Sequence, residues 1–266
     1  MTQTKIAFEG VGKVFMTRRQ EIEALRDISF EIHDHDFVSF IGPSGCGKST
    51  IIRLLDDIIK PTSGRIVVDG YVYDNDGPVP RQVIRKLGFI FQTPNLLPWL
   101  TVKGNILFPV RILRDRSKDW NAIADELLKM AGMQEYANVF PNALSGGMLQ
   151  RVGVLRAMSY QPEILLMDEP FGALDEIMRQ TLDIETMKLW EQLGQTILFI
   201  THNVAEAVFV SDRVFVMGTN PGRILEEVKI DLPRPRSADI VATREFVRYK
   251  ELLTRKIGQI DLNQVK

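Results

Sequence analysis

The chain has 266 residues, of which 45% are hydrophobic and 25% are charged, a composition typical of a globular protein with one large domain or a domain and a subdomain. The net charge is −1 and the pI is near 6.3, which disfavours nucleic acid as a partner because nucleic-acid-binding proteins need a surface that neutralises phosphates. The longest apolar runs have four residues, far short of the roughly 20 that a membrane-spanning helix requires.

Short apolar runs alternate with helical patterns, which indicates an α/β domain with a mostly parallel sheet. The segment 93–160 has few β-branched runs and is predicted to be a helical subdomain. After Gly218 come two proline-rich turns, NPGR and LPRPR, and a charged segment from Ala238 that is predicted to form a terminal helix. Core strands are predicted at 37–41, 65–69, 88–91, 164–168 and 196–200, and a crossover helix at 176–194 with Asp175 as a possible N-cap.

The segment 42–50, GPSGCGKST, lies between a predicted strand and a predicted helix and fits the pattern of a phosphate-binding loop. Its glycines let backbone amides approach phosphates, and the helix that follows adds its positive N-terminal end. Lys48 is predicted to reach the β- and γ-phosphates, and Ser49 to offer its hydroxyl to Mg²⁺. Cys46 reads as a variable position, with a reactive thiol as the alternative. The predicted ATP-binding residues here are Gly42, Pro43, Ser44, Gly45, Cys46, Gly47, Lys48, Ser49 and Thr50.

The run ILLMDEP, residues 164–170, places two carboxylates at the end of an apolar strand. Taken alone, such a pair is more often found at the start of a helix without any catalytic role. Combined with a phosphate loop, it suits a metal and a water: Asp168 is predicted to lie in the outer sphere of Mg²⁺, and Glu169 to act as the general base that activates the attacking water.

A second candidate anion site is LSGGMLQR, residues 144–151, in which Ser145 is a natural N-cap and Gly146 and Gly147 offer free amides. An ordinary capped turn is the alternative. The segment lies roughly 100 residues from the phosphate loop, so the two are not expected to hold one nucleotide within one chain. We therefore predict a head-to-tail pair, in which these three residues of one copy close over the ATP held by the other.

These motifs resemble the ATP-binding cassette superfamily, and the resemblance extends to about Asp231. It is carried by GPSGCGKST, by Gln92 in GFIFQ, by LSGG, by ILLMDEP, by GALD at 172–175 and by His202 in ITH, which follow one another in the family's order. The resemblance implies an α/β fold with a P-loop NTPase core, a mostly parallel sheet, an antiparallel β portion at the N-terminus and the helical subdomain inserted at about 93–160. It implies an ATP-binding domain at 1–235 and a helical extension at 236–266.

The resemblance also assigns roles to single residues. Gln92 would coordinate Mg²⁺ and the attacking water, His202 would hydrogen-bond the γ-phosphate, and Asp175 would contact the other copy. Phe15 falls where the family has an aromatic ring that stacks on adenine, with a core residue as the alternative. The implied catalytic residues are Glu169, His202 and Gln92, and the implied Mg²⁺ residues are Ser49, Gln92 and Asp168.

Two positions depart from the family's usual pattern. Residue 148 is Met where the signature usually continues with Gln, so a hydrogen bond from that side chain is lost, while Ser145 and the backbone amides still offer phosphate contacts. Phe15 replaces a more common Tyr and preserves the aromatic face for stacking.

Within the superfamily, the chain resembles the importer ATPases of the nitrate, sulfonate and taurine group. This resemblance is carried by LLPWLTV at 96–102, by DEPFGALD, and by NPGRI followed by LPRPR. The resemblance implies a subunit that uses ATP and Mg²⁺ to drive uptake of a small solute, nitrate-, sulfonate-, taurine- or pyrimidine-like, through separate transmembrane permease subunits. A solute-binding protein would be an indirect partner. Trp99 is predicted either to contact the permease or to be buried.

The start of the chain lacks a basic segment followed by an apolar one, and the single Cys46 rules out an internal disulfide. With the implied permease partner, this predicts a peripheral protein on the cytoplasmic face of the cell membrane.

Three other classes of protein share part of this pattern. A non-transport cassette ATPase of DNA repair or translation is disfavoured because repair members carry a long coiled coil between the phosphate loop and the acid pair, and translation members usually carry two cassettes. A P-loop kinase or GTPase would leave LSGG and His202 unexplained. A regulatory protein that binds ATP without turnover would not need Glu169.

Overall fold

The computed structural model describes residues 3–17, 20–73, 77–172 and 174–264. Its strands are β1 (Thr4–Met16), β2 (Glu21–His33), β3 (Phe37–Ile41), β4 (Ser63–Val68), β5 (Tyr71–Tyr73), β6 (Leu87–Ile90), β7 (Ile164–Asp168), β8 (Thr196–Ile200), β9 (Arg213–Gly218) and β10 (Arg223–Lys229). Its α-helices are α1 (Lys48–Leu55), α2 (Arg81–Ile84), α3 (Val102–Ile106), α4 (Phe108–Leu113), α5 (Trp120–Met130), α6 (Gly146–Met158), α7 (Glu176–Leu193), α8 (Val204–Val210) and α9 (Arg244–Gln264). Short 3₁₀ turns lie at Gln134–Tyr136, Pro141–Ala143 and Ala238–Ala242.

The larger sheet has the strand order β10-β9-β3-β8-β7-β6. Its strands are parallel except for β10, which pairs with β9 in the antiparallel direction. Alternate residues of β3 enter different hydrophobic clusters: Phe37 and Ile41 face one, and Val38 and Phe40 face the other. The sheet is thus buried on both faces, which explains why its strands are continuous apolar runs.

The smaller sheet is antiparallel and has the order β2-β1-β4-β5. It packs on one face of the larger sheet through a row of aromatic rings. The ring centroid of Phe30 lies 4.5 Å from that of Phe8 and 5.0 Å from that of Phe40, and the centroids of Phe40 and Phe215 are 5.0 Å apart. The predicted fold class, with a mostly parallel sheet and an antiparallel β portion near the N-terminus, is confirmed.

Between β6 and β7 the described chain forms only helices and 3₁₀ turns. The buried Asn105 organises the entry into this segment, because its amide donates to the carbonyls of Leu97, Leu100 and Thr101 and its Oδ1 accepts from the Leu97 amide. The predicted limits 93–160 of a subdomain and the division at residues 235 and 236 stay predictions.

The terminal helix differs in detail from its prediction. Residues Ala238–Ala242 form a 3₁₀ turn, and α9 begins only at Arg244. The change of helix type follows from Thr243, which is extended and whose hydroxyl accepts a hydrogen bond from the Phe246 amide, as an N-cap does. Val265 and Lys266 lie outside the described residues.

The predicted core strands are confirmed, at 37–41, 164–168 and 196–200 to the residue. The other two differ slightly in their limits: β4 begins two residues early, and β6 runs one residue early because Leu87 already pairs with Ile164. The crossover helix ends at Leu193, where Gly194 adopts the left-handed conformation typical of a helix end. Within the ranges above, no helix is both long and apolar enough to cross a membrane.

Candidate functional site

The predicted site residues meet at one edge of the larger sheet. The strands β3, β8, β7 and β6 are neighbours in that order and run parallel, so their carboxyl ends lie side by side. The phosphate loop follows β3, His202 follows β8, Asp168 ends β7 with Glu169 directly after it, and Gln92 follows β6. This edge is where open α/β sheets bind their ligands.

The phosphate loop is packed too tightly for side chains at two of its glycines. A β-carbon at Gly42 would lie 2.5 Å from the Met217 carbonyl oxygen. Gly47 has φ +93°, and a β-carbon there would lie 2.5 Å from the Leu25 side chain and 3.2 Å from the Ala24 oxygen. The loop therefore packs directly against β2 and β9, and glycine is required at both positions because neither has room for a side chain.

Lys48 curls back over its own loop. Its ammonium group donates to the carbonyl oxygens of Gly42 at 2.7 Å and Pro43 at 3.0 Å, and it lies 3.6 Å from the Cys46 sulfur. The cation is thus held at the mouth of the loop, where phosphate oxygens can replace the carbonyls. Cys46 is fully buried, and burial raises the pKa of its thiol while the Lys48 charge opposes the rise. This environment disfavours the reactive-thiol alternative.

Ser49 and Asp168 form a direct link between α1 and β7. The serine hydroxyl donates to the Asp168 carboxylate at 3.0 Å. Burial raises the pKa of Asp168, and the hydrogen bond from Ser49 opposes the rise. A hydroxyl and a carboxylate oxygen at this spacing fit a hard divalent cation. The described residues contain no group of three or more His, Cys, Asp or Glu side chains able to hold a metal.

Glu169 is held in a strained conformation beside His202. Its φ is +46°, which is uncommon for a residue with a side chain and is typical of functional sites. The strain is maintained by its amide, which donates to the Ile200 carbonyl at 2.9 Å, and by its own carbonyl, which accepts from the Gly172 amide at 3.1 Å. The Glu169 carboxylate lies 3.1 Å from the Nδ1 atom of His202. Two predicted catalytic side chains are therefore in contact.

Gln92 lies near the same carboxylate. A β-carbon at Gly172 would lie 3.4 Å from both the Gln92 amide nitrogen and the Glu169 carboxylate oxygen. The two side chains thus converge over Gly172. The neighbouring Ala173, which belongs to the GALD motif, lies outside the described residues.

The segment around Ser145 lies beside the start of α7, and Ser145 and Gly146 are exposed. The Ser145 hydroxyl accepts from the Met148 amide at 3.4 Å, and Asp175 accepts from the Met178 amide at 3.0 Å, so both are N-caps as predicted. A β-carbon at Gly147 would lie 2.7 Å from the Met178 sulfur, which explains a glycine there. The predicted in-trans residues Ser145, Gly146, Gly147 and Asp175 are therefore neighbours. No hydrogen bond or ion pair within the described residues joins them to residues 42–50.

Phe15 lies on β1 and is half-buried. It belongs to neither hydrophobic cluster, and the Lys13 ammonium lies 5.1 Å from its ring centroid. The ring is therefore not enclosed in the core, and its predicted stacking on adenine stays a prediction.

The sequence prediction missed Gly222 in the turn between β9 and β10. Its amide donates to Ala24 and its carbonyl accepts from Arg26, both at 3.0 Å. A β-carbon at this position would overlap the Cys46 carbonyl oxygen and would lie 2.7 Å from that of Ala24. The turn thus supports the phosphate loop from behind. The available signal was the NPGR turn directly after an apolar strand.

Comparison with known proteins gives consistent matches. A family model described as ABC transporter matches residues 25–172. The chain is 38% identical to a nitrate import ATP-binding protein of Synechococcus elongatus, over 94% of this chain and 89% of that protein. It is 36% identical to an aliphatic sulfonates import ATP-binding protein of Bacillus cereus, over 87% and 88% of the two chains. An uncharacterized ABC transporter ATP-binding protein of Methanocaldococcus jannaschii is 38% identical over 99% of this chain and 95% of its own length.

The fold is also similar to that of a solved ATP-binding cassette. A dimeric structure of a post-hydrolysis state bound to ADP and Pi superposes with a TM-score of 0.73 at 32% identity, covering 86% of this chain and all of that chain.

Proposed function

Because the chain belongs to the ABC transporter family of ATPases, we propose that it is the ATP-hydrolysing subunit of an importer and that two copies share their ATP sites. One observation carries this proposal. The sheet edge collects a phosphate loop, the Ser49–Asp168 pair and the Glu169–His202 pair, while the second helix N-terminus suited to phosphate, at Ser145, has no hydrogen bond or ion pair to residues 42–50 within the described residues.

ATP binding is proposed to use the loop backbone and Lys48. The inward-facing amides and the N-terminus of α1 attract the phosphate groups, and the Lys48 ammonium exchanges its carbonyl partners for phosphate oxygens. Ser49, Asp168 and Gln92 would hold Mg²⁺, which neutralises charge on the β- and γ-phosphates when it is bound. Phe15, with its half-buried ring, would stack on adenine.

Hydrolysis is proposed to use Glu169 as the general base. Its carboxylate orients a water molecule and accepts its proton, while the contact with His202 fixes its position. His202 would also hydrogen-bond the γ-phosphate, and Gln92, which lies near the carboxylate at Gly172, would help to orient the water.

Completion of the site is proposed to need the second copy. Ser145, Gly146 and Gly147 of one copy would close over the γ-phosphate held by the other, with Asp175 at the contact. The dimeric arrangement of the similar cassette supports this assembly. Closure is driven by tighter ATP binding in the closed state, and hydrolysis removes that preference.

Import is proposed from the names of the relatives, two of which are import proteins for nitrate and for aliphatic sulfonates. By this analogy the solute is a small anion of that kind, it passes through permease subunits, and a solute-binding protein delivers it outside. The chain would lie on the cytoplasmic face of the membrane. Trp99 has 70% of its surface exposed, which suits a contact with a permease helix. The relatives give the repair and translation alternative no support.

A complementation experiment tests the shared site. Lys48→Ala removes the phosphate cation, and Ser145→Arg blocks the second anion site, so neither variant alone forms an intact composite site. When the two are mixed and assembled with the permease, a shared site predicts that ATPase activity returns, because Lys48 of one copy meets Ser145 of the other. A mixture as inactive as its components would contradict the dimer scheme.

Glu169→Gln is the matched test of the chemistry. It should still bind ATP and accumulate as a dimer at saturating Mg-ATP, while hydrolysis falls by about 10² to 10⁴, the usual contribution of a placed general base. Light scattering and phosphate release measure the two effects. Hydrolysis at the wild-type rate would exclude Glu169 as the base.

A further inference from the structure

Two buried carboxyl groups face each other behind the sheet edge that carries the site. Asp183 lies on α7 and Glu206 on α8, and their exposed fractions are only 3% and 6%. Both line a cavity of about 50 Å³ between these helices and residues 238–246. Buried carboxylates are costly unless they are paired or neutralised, so their presence needs a physical reason.

The two groups lack the donors that two carboxylates require. Asp183 Oδ1 and Glu206 Oε1 are buried, and neither has a hydrogen-bond partner in the part of the chain that the structure describes. A proton placed on one carboxyl converts an acceptor into a donor toward the other and removes one of two like charges.

The electrostatics of the pair agree with this arrangement. Burial, followed by the charge of Glu206, raises the pKa of Asp183 well above its usual range. Burial also raises the pKa of Glu206, to about 7, while the hydrogen bond from Thr201 opposes the rise. At neutral pH the pair therefore retains a proton.

The nearby charged groups are engaged elsewhere or add to the repulsion. Arg179 faces the pair, but it donates to the carbonyls of Phe171 and Leu174 and to the Glu176 carboxylate. Glu176 adds negative charge near Asp183, and His202 lies close enough to influence Glu206. The remaining residues that line the cavity from 238–246 are uncharged.

Glu206 is connected to the loop that carries His202. The Thr201 hydroxyl donates to Glu206, and its oxygen accepts from the Asn203 amide at 2.9 Å. Asn203 in turn caps α8 by accepting from the amides of Ala205 and Glu206 at 2.9 and 3.2 Å. His202 lies between these two anchored residues and reaches Glu169. Its position therefore depends on the anchor behind it.

We propose that Asp183 and Glu206 are positioning residues that share one proton, and that this proton holds the 201–203 loop so that His202 stays against Glu169. The proposal rests on the proposed ATPase function. When the pair loses its proton, two buried carboxylates repel each other and the contact between α7 and α8 loosens.

The direction of the pH effect follows from the raised pKa values. The carboxyl groups have folded-state pKa values above their unfolded-state value of about 4. Such a group contributes its full stabilisation below about pH 4, and this contribution is lost as the pH rises through the folded-state pKa. Loosening of the loop is therefore expected above neutral pH, as the pair loses its last proton.

Two conservative variants test the shared proton. In Asp183→Asn and in Glu206→Gln an amide N–H replaces the proton, so the hydrogen bond no longer depends on pH. Wild-type ATPase activity should fall about tenfold between about pH 7 and pH 9. This is a part of the factor of roughly 10² to 10⁴ that a correctly placed base contributes to the rate. Both variants should keep their activity over the same pH range.

Asp56→Asn is the matched control. Asp56 caps the end of α1, burial together with the charge of Asp57 raises its pKa to about 6, and its charge acts on Tyr160 rather than on Asp183 or Glu206. This variant should lose ATPase activity at high pH as the wild type does. Equal protection by Asp56→Asn would show a general effect on stability and would overturn the positioning role.

Amide hydrogen exchange gives a measure that does not depend on activity. After correction for intrinsic rates, residues 201–206 of the wild type should exchange faster at about pH 9 than at about pH 6, and those of Asp183→Asn should not. An identical response of both proteins would overturn the proposal. This is the result expected if a water molecule, rather than a proton, bridged the two carboxyl groups. A wild-type protein that hydrolyses no ATP when it is assembled with its permease would instead overturn the proposed function, and the exchange data would still decide the question of the proton.

Discussion

Replacement of Gly222 by alanine should weaken both the fold and nucleotide binding, although Gly222 lies outside every ATP-binding motif. The added methyl group would overlap the Cys46 carbonyl oxygen and lie 2.7 Å from the Ala24 oxygen, and both are backbone atoms with little freedom to move. Overpacking of this kind costs about 1–3 kcal/mol. Displacement of the turn also strains the hydrogen bonds to Ala24 and Arg26, each worth about 1 kcal/mol.

The expected loss is therefore about 2–4 kcal/mol in the free energy of unfolding, measured by urea denaturation. Because the Cys46 carbonyl belongs to the phosphate loop, its displacement should also raise the Kd for a fluorescent ATP analogue by about tenfold, equivalent to about 1.4 kcal/mol.

The same substitution at Gly258 is the control. Gly258 lies within α9, and a β-carbon there would meet no atom within 4 Å. Gly258→Ala should stabilise the protein by up to about 1 kcal/mol and leave nucleotide affinity unchanged. If Gly222→Ala unfolds at the wild-type urea concentration and binds nucleotide equally well, the turn does not support the loop.

Two further predictions concern buried side chains. The Cys46 thiol, whose pKa is raised by burial, should react with Ellman's reagent at least about a hundredfold more slowly in the native protein than in denaturant, and a fast native reaction would contradict its burial. Arg236→Ala should lower the free energy of unfolding by about 2–4 kcal/mol, because the guanidinium donates to the carbonyls of Val208, Phe209 and Ser211, which would lose a buried donor. Urea denaturation measures the loss, Arg236→Lys should restore part of it, and an unchanged midpoint would show that other contacts hold this segment.

The sheet edge could be predicted because its information is local. Each of the strands 37–41, 164–168 and 196–200 is an apolar run that ends directly at polar residues, and in a parallel sheet these ends share one edge. The N-caps Ser145 and Asp175 were also predictable, since a cap depends on residues three positions away.

The first two strands gave a weaker signal. The strands β1 and β2 have 13 residues each, but their pairing contains register shifts near Phe8, Val11 and Lys13. A bulge reverses the face that the next residues present, so buried positions do not alternate regularly along the chain. Only the family resemblance implied the antiparallel portion.

The supports of the site could not be predicted because they join segments that are distant in sequence. Nothing near Gly222 indicates that Cys46 lies against it. Asp183 lies among other charged residues of α7, including Glu176 and Glu185, so the neighbouring sequence does not indicate that it is buried. A buried carboxyl on a charged helix has the same sequence appearance as a solvated one.

Helix α7 explains why residues behind the sheet edge bear on the chemistry in front of it. At the start of α7, Met178 packs against Gly147 of α6. In the middle of α7, Glu185 forms a 2.7 Å ion pair with Arg151, which also belongs to α6. On the other side of α7, Asp183 meets Glu206 below the His202 loop. Packed helices shift as units rather than deform continuously. A displacement of α6, whose first residue is Gly146, is therefore expected to change the contacts of α7 on both sides, and through the proposed shared proton it would reach His202.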